Sequence, residues 1–219
     1  ELSVHLLEQI AASLHDAHGQ GIVHRDVKPH NVMLIERDGD PHFAKVIDFG
    51  IAKVVQETTA APMESLTRTD TMIGTPHYMA PEQIHGDGEL DGRTDQYALG
   101  ITAYKMLAGR TPFDGGRQIE IVLKHLQEDA PPVSQMAPRA LPGAVDEVLS
   151  RALAKEPGER YATILEFTQA LREASEAQAT TSAPVTAHID VDVSQDLREE
   201  PPTRPLEQPD GSVPDGGSS

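Results

Sequence analysis

Two short stretches of this sequence gather the side chains that chemistry would need. Asp26, Lys28 and Asn31 lie in His24-Arg25-Asp26-Val27-Lys28-Pro29-His30-Asn31, and Asp48 opens Asp48-Phe49-Gly50. Moving a phosphoryl group from a nucleotide to a hydroxyl requires a carboxylate that orients the attacking hydroxyl and accepts its proton. It requires hard oxygen ligands to hold Mg²⁺ against the phosphates, and a cation to offset charge on the group in flight. Asp26 suits the first role, Asn31 and Asp48 the second, and Lys28 the third. Each has a plainer reading as well, Asp26 as a loop-capping carboxylate and Asp48 as a turn residue.

Something must bring the two stretches together. Leu2, Leu6, Leu7, Ile10, Ala11 and Leu14 recur at three- and four-residue spacing, which predicts an amphipathic helix ending near Gly19 to Gly21. Val32 to Ile35 and Phe43 to Ile47 read as two short strands, with Asp38-Gly39-Asp40 as the turn. The hairpin would return the chain so that Asp48 faces the loop holding Asp26 and Asn31. Ala52 to Thr75 is rich in Thr, Ser and Ala with little periodicity and reads as a long mobile loop. Helical patterns follow near Arg93 to Ala108, Arg117 to Glu128, Val145 to Ala154 and Ala162 to Glu173. From Ser175 to Ser219 there are nine Asp/Glu against two Arg and no aromatic residue. Such a stretch buries too little apolar surface to offset its chain entropy and is expected to be disordered.

The two stretches resemble the catalytic loop and the magnesium motif of protein kinases. The likeness continues in order along the chain. Gly74-Thr75-Pro76-His77-Tyr78-Met79-Ala80-Pro81-Glu82 is similar to the end of a kinase activation segment, and Asp95-Gln96-Tyr97-Ala98-Leu99-Gly100 to the start of the large central helix. Arg160 matches the late arginine that pairs with the glutamate of the Ala-Pro-Glu motif, here Glu82. The resemblance runs from about Glu1 to Glu173. Lys28, two places after Asp26, marks the serine/threonine class. Gly21-Ile22-Val23-His24-Arg25-Asp26 and Ala80-Pro81-Glu82-Gln83 are similar to bacterial kinases of the eukaryotic, or Hanks, type.

The resemblance implies a mainly α fold with a small β-hairpin, the C-terminal lobe of a protein-kinase-like α+β fold. Residues 1–174 would form that lobe and 175–219 an acidic linker or tail. The implied reaction is transfer of the ATP γ-phosphoryl group to Ser or Thr hydroxyls of proteins, with ATP and Mg²⁺ as cofactors. Asp26 would be the base and Lys28 its cationic partner on the phosphates. Asn31 and Asp48 would hold the metal, and Met33 would lie beneath the adenine while also packing as a buried residue. Thr75 would bridge Asp26 and Lys28 and shape the peptide-docking surface. Thr67, Thr69 and Thr71 are candidate phosphorylation sites, with Arg25 and Lys53 as cations for the phosphate. His24, Arg25, Phe49, Gly50, Glu82, Asp95 and Arg160 would be structural, His24 packing on Phe49 rather than acting as a metal ligand or base.

Composition narrows the partners. The net charge of −17 argues against general binding to nucleic acids or anionic membrane surfaces. There is no Cys, which rules out disulfides and cysteine zinc sites. His15 and His18 are spaced for a metal but lack further ligands, and solvent-exposed histidines are the expectation. No apolar run reaches membrane-spanning length. The resemblance implies a cytoplasmic location and leaves open that this is the cytoplasmic part of a membrane-anchored kinase that dimerises at full length.

Only 23 residues precede His24. They contain no Gly-rich loop and no strand lysine, so the expectation is a fragment of a longer kinase, inactive alone. The alternative is a kinase-like module without catalysis that binds partners or regulates them.

Overall fold

The computed structural model describes residues 2–49, 76–86 and 89–177. Gly50, Lys53, Thr67, Thr69, Thr71 and Thr75 lie outside the described residues, as does the expected linker from residue 178 onward.

Helix α1, Leu2–His18, buries Leu7, Ile10, Ala11, Leu14 and Ala17, one stripe at helical spacing. Strands β1, Val32–Arg37, and β2, Asp40–Val46, form an antiparallel hairpin in which Val32 pairs with Val46 and Ile35 with Phe43. The chain turns at Asp38 and Gly39, both with positive φ, in the left-handed region that a tight turn between strands demands. Helix α1 packs on β2, whose Ala44 and Val46 are buried, while β1 is the outer strand. Met33, expected to be buried, is therefore 50% exposed, and Leu34 beside it 52%.

Five-residue α2, Pro81–His85, follows a single turn at Pro76–Tyr78. It is too short to leave a periodic signature and was not expected. Helix α3, Gly92–Ala108, is the centre of the molecule. Every residue from Thr94 to Tyr104 is buried, so it is covered on all sides rather than amphipathic. The Asp91 carboxylate caps its start by accepting the Arg93 N–H at 2.8 Å. Gly109, at φ +77°, ends it in the left-handed turn that suits glycine. Helices α4, Gln118–Gln127, α5, Gly143–Ala152, and α6, Ile164–Glu176, complete the domain. Helix α6 packs on α1 and α5, closing the core around Leu14, Leu99, Phe167 and Leu171. It extends through residues 175 and 176, which were expected in the tail.

Candidate active site

The loop between α1 and β1 is held by a carboxylate 70 residues further on. Asp95, in the first turn of α3, is fully buried. Its Oδ2 accepts the His24 N–H and its Oδ1 the Arg25 N–H, both at 2.8 Å. Arg25 has φ +65°, a left-handed conformation that a residue with a Cβ adopts only under constraint. The constraint comes from both sides, because its N–H is bound by Asp95 and its C=O accepts Gln83 Nε2 at 2.9 Å. Asp26 follows directly, aimed by this turn.

Asp26, Lys28 and Asn31 meet. Lys28 Nζ donates to Asp26 Oδ2 at 2.7 Å. Asn31 Nδ2 donates to the Asp26 backbone oxygen at 2.8 Å and to its Oδ2 at 3.1 Å. Only acceptors face that side of Asn31, so its nitrogen points to Asp26 and its Oδ1 points away. An amide oxygen presented in this way suits a hard cation.

The hairpin brings Asp48 to the same place. The Ile47 N–H donates to the Asn31 backbone oxygen at 2.9 Å, and the Ile47 backbone oxygen accepts His24 Nε2–H at 3.0 Å. Both ends of the His24–Asn31 segment thus clamp the residue before Asp48. Asp48 itself has φ +55° and is exposed, its carboxylate open to a ligand. Asn31 Oδ1 and the Asp48 carboxylate are the oxygens that could hold Mg²⁺. Among the described residues no cluster of three or more His, Cys, Asp or Glu forms a separate metal site.

His24 uses both ring nitrogens in structure. Nδ1 accepts the Asp26 N–H at 3.3 Å, Nε2–H serves Ile47, and the ring lies 4.7 Å from that of Phe49. That leaves it no nitrogen for base or metal chemistry. Met33, on exposed β1, offers an apolar surface where adenine was expected to rest. A groove of about 510 Å³ between α1 and the hairpin is lined by Gln9, Ser13, Arg37 and Phe43 among others and contains none of these residues.

Glu82 and Arg160 form the second built feature. Arg160 Nη1 and Nη2 reach the two Glu82 oxygens at 2.7 and 2.8 Å. Its remaining N–H groups go to the backbone oxygens of Ala154, Arg93 and Lys155, so all five donors are satisfied. Burial alone would push the Glu82 carboxyl up. The Arg160 hydrogen bonds and charge, with the Thr94 hydroxyl at 2.9 Å, override this and hold it below the usual range.

A match to the protein kinase domain family covers residues 2–174. The chain belongs to that family. It is 47% identical over 172 residues to the serine/threonine-protein kinase Pkn1 of Myxococcus xanthus, covering 78% of this chain and 24% of that protein. To the kinase PrkC of Bacillus subtilis it is 39% identical over 175 residues, covering 80% and 25%. The crystal structure of the PknI kinase domain of Mycobacterium tuberculosis superposes with a TM-score of 0.56 at 34% identity, covering 78% of this chain and 54% of that domain. The chain therefore spans about a quarter of these curated relatives and about half of a solved kinase domain. Its mainly helical architecture with one hairpin is that of a kinase C-terminal lobe.

Two positioning residues escaped the sequence. Gln83 was visible only as the last letter of Ala80-Pro81-Glu82-Gln83. His18 was expected to be solvent-exposed with His15. Instead both are partly buried, and His18 donates Nε2–H to Asp95 Oδ2 at 2.7 Å with its side chain only 14% exposed.

Proposed function

We propose that this chain supplies the base, the metal ligands and the peptide-facing side of a serine/threonine protein kinase. The observation that carries the reading is the locked trio of Asp26, Lys28 and Asn31, with Asp48 delivered beside it by the clamped Ile47 backbone. Asp26 orients the substrate hydroxyl and accepts its proton. Lys28 holds that carboxylate in place and offers its charge to the phosphate in flight. Protein kinases in general use ATP and Mg²⁺, and Mg²⁺ when bound neutralises charge between the phosphates. Asn31 Oδ1 and the Asp48 carboxylate would hold it, and Met33 would give the adenine an apolar floor. Residues 1–174 are the working unit and the acidic remainder a linker. The complete kinase acts on protein Ser and Thr in the cytoplasm, with Thr67, Thr69 and Thr71 as its own modification sites. The test is radiolabelled phosphate transfer from ATP by a complete kinase domain containing these residues. Asp26-dependent, Mg²⁺-dependent labelling of Ser or Thr is expected, and transfer that survives Asp26→Asn would overturn the reading.

A further inference from the structure

One side-chain amide joins the segment that would face a docked peptide to the segment that carries the base. Gln83, in the first turn of α2, accepts the Ala80 N–H with its Oε1 at 3.1 Å and donates Nε2–H to the Arg25 backbone oxygen at 2.9 Å. An N–H can only donate and a carbonyl can only accept, so these partners fix which end of the amide is which. The Gln83 backbone N–H returns to the Ala80 oxygen at 3.0 Å, so Ala80 is gripped through both of its backbone groups. Ala80 lies two residues past the Pro76–Tyr78 turn, and Asp26 directly follows Arg25. Glu82, beside Gln83, is clamped by Arg160 and by the Thr94 hydroxyl, so the bridge springs from a helix that is itself held. Gln83 is half-buried, and leaving either of its partners unpaired there carries a cost.

On the kinase reading above, we infer that Gln83 is a positioning residue that sets the register between a docked peptide and Asp26. The peptide rests against the segment that ends at Ala80, and the base stands one residue past Arg25. The amide between them holds the two at a fixed separation. The hydroxyl of a docked peptide cannot adjust itself, because its place is set by where the peptide lies, and a misplacement of about 1 Å is enough to slow transfer severely. Water as the acceptor, giving ADP and inorganic phosphate, is small and mobile and adjusts to the base. Loss of the bridge therefore falls on transfer to protein and spares transfer to water. The bridge is two hydrogen bonds in series, so cutting either end has the effect of cutting both.

Four variants of a complete kinase domain carrying these residues test this. Gln83→Glu keeps an acceptor for the Ala80 N–H and loses the donor. Gln83→Lys keeps a donor toward the Arg25 oxygen and loses the acceptor. Gln83→Met keeps the length with neither, and Asp26→Asn is the control. The measurements are kcat with myelin basic protein as a generic acceptor, KM for ATP, phosphate release from ATP with no protein acceptor, the urea midpoint, and amide hydrogen exchange at Ala80 and Arg25. All three Gln83 variants are expected to lower kcat about tenfold or more, with KM for ATP and acceptor-free phosphate release within about twofold of wild type. Exchange at Ala80 is expected to quicken in the Lys and Met variants, and exchange at Arg25 in the Glu and Met variants. Wild-type transfer by Gln83→Glu would overturn the inference and leave Gln83 a helix cap. Wild-type transfer by Gln83→Lys would overturn it equally, leaving a prop for Arg25 alone. So would an equal fall in transfer and phosphate release, or a loss of kcat no larger than the unfolded fraction explains. A wild-type protein without Asp26-dependent transfer would refute the kinase reading instead, and exchange at Ala80 and Arg25 would still decide whether the amide joins the two segments.

Discussion

Arg160 and Glu82, 78 residues apart, meet in a two-pronged ion pair with the arginine side chain fully buried. The pair ties α2, which follows the activation segment, to the turn before α6, and Gln83 next door ties the same helix to the Arg25 carbonyl. A strain on this pair is therefore felt at the catalytic loop.

Removing one partner leaves a buried charge uncompensated. Arg160→Ala is expected to lower stability by about 3 kcal/mol or more, read as a shift in the urea midpoint. The pH dependence follows from Glu82. Its folded carboxyl titrates below the ordinary value of 4.5. Its contribution is fully present above that value and is lost as pH falls through the lower folded one. Glu82→Gln should flatten the stability profile below pH 4.5 and leave its slope at neutral pH unchanged.

Lys155 points the other way. Its Nζ is buried without a hydrogen-bond partner and lies 4.6 Å above the Phe113 ring. Burial pushes its ammonium down to about 8, with Asp129 resisting and Arg160 adding to the fall. Between about 8 and the free value of 10.5 the unfolded chain binds more protons than the folded one, so stability should rise with pH across that window. Lys155→Met should raise the thermal midpoint at pH 7, with the gain shrinking toward pH 10. A lower midpoint at pH 7 would mean that the cation over Phe113 outweighs its burial. Neighbouring His125, fully buried and bonded to the Tyr97 hydroxyl, is held by burial, Lys155 and His77 at about 3 and stays neutral throughout.

What the sequence revealed and what it hid divide along physical lines. Helix α1 and the hairpin were legible because each buries one face and so carries a period. The candidate site residues could be named because their order, Asp26, Lys28, Asn31, Asp48, is local and chemically specific, and the fold brings the first three into contact. Helix α3 was found from a pattern that is hardly amphipathic, through its family likeness and its terminal Gly109. His18 was misread because its partner Asp95 is 77 residues away, and nothing near His18 in sequence reports that contact. Met33 was misread because an apolar residue on an outer strand has the same alternation whether or not something covers it.

The proposed metal ligands make a third prediction. Asp48→Ala in a complete kinase domain should abolish Mg²⁺-dependent transfer, because it removes the charged oxygen of the proposed ligand pair. Asn31→Ala should do double damage, losing the Oδ1 ligand and both bonds to Asp26. Asn31→Asp should keep metal binding while turning a like charge on Asp26, so Mg²⁺ affinity measured by titration should survive better than kcat. Equal loss of both would count against separate roles for the two ends of the Asn31 amide.

The last prediction concerns residues 1–219 by themselves. Phosphoryl transfer rests on positioning and on electrostatic stabilisation, so each part of the clamp matters. On the proposed reading these residues would bring the base, its lysine and two metal ligands. The sequence before His24 has no glycine-rich loop to cover the phosphates and no strand lysine to orient them. The outer strand also exposes Met33 and Leu34, apolar side chains on its two opposite faces, and such exposure favours self-association. The chain alone is expected to give labelling indistinguishable from its Asp26→Asn control in a radiolabelled transfer assay. Its apparent mass in solution should rise with concentration, and Met33→Lys with Leu34→Lys should suppress that rise. Robust Asp26-dependent transfer by the 219 residues would mean that the trio and Asp48 position ATP without a covering loop, and that the electrostatics of this half suffice.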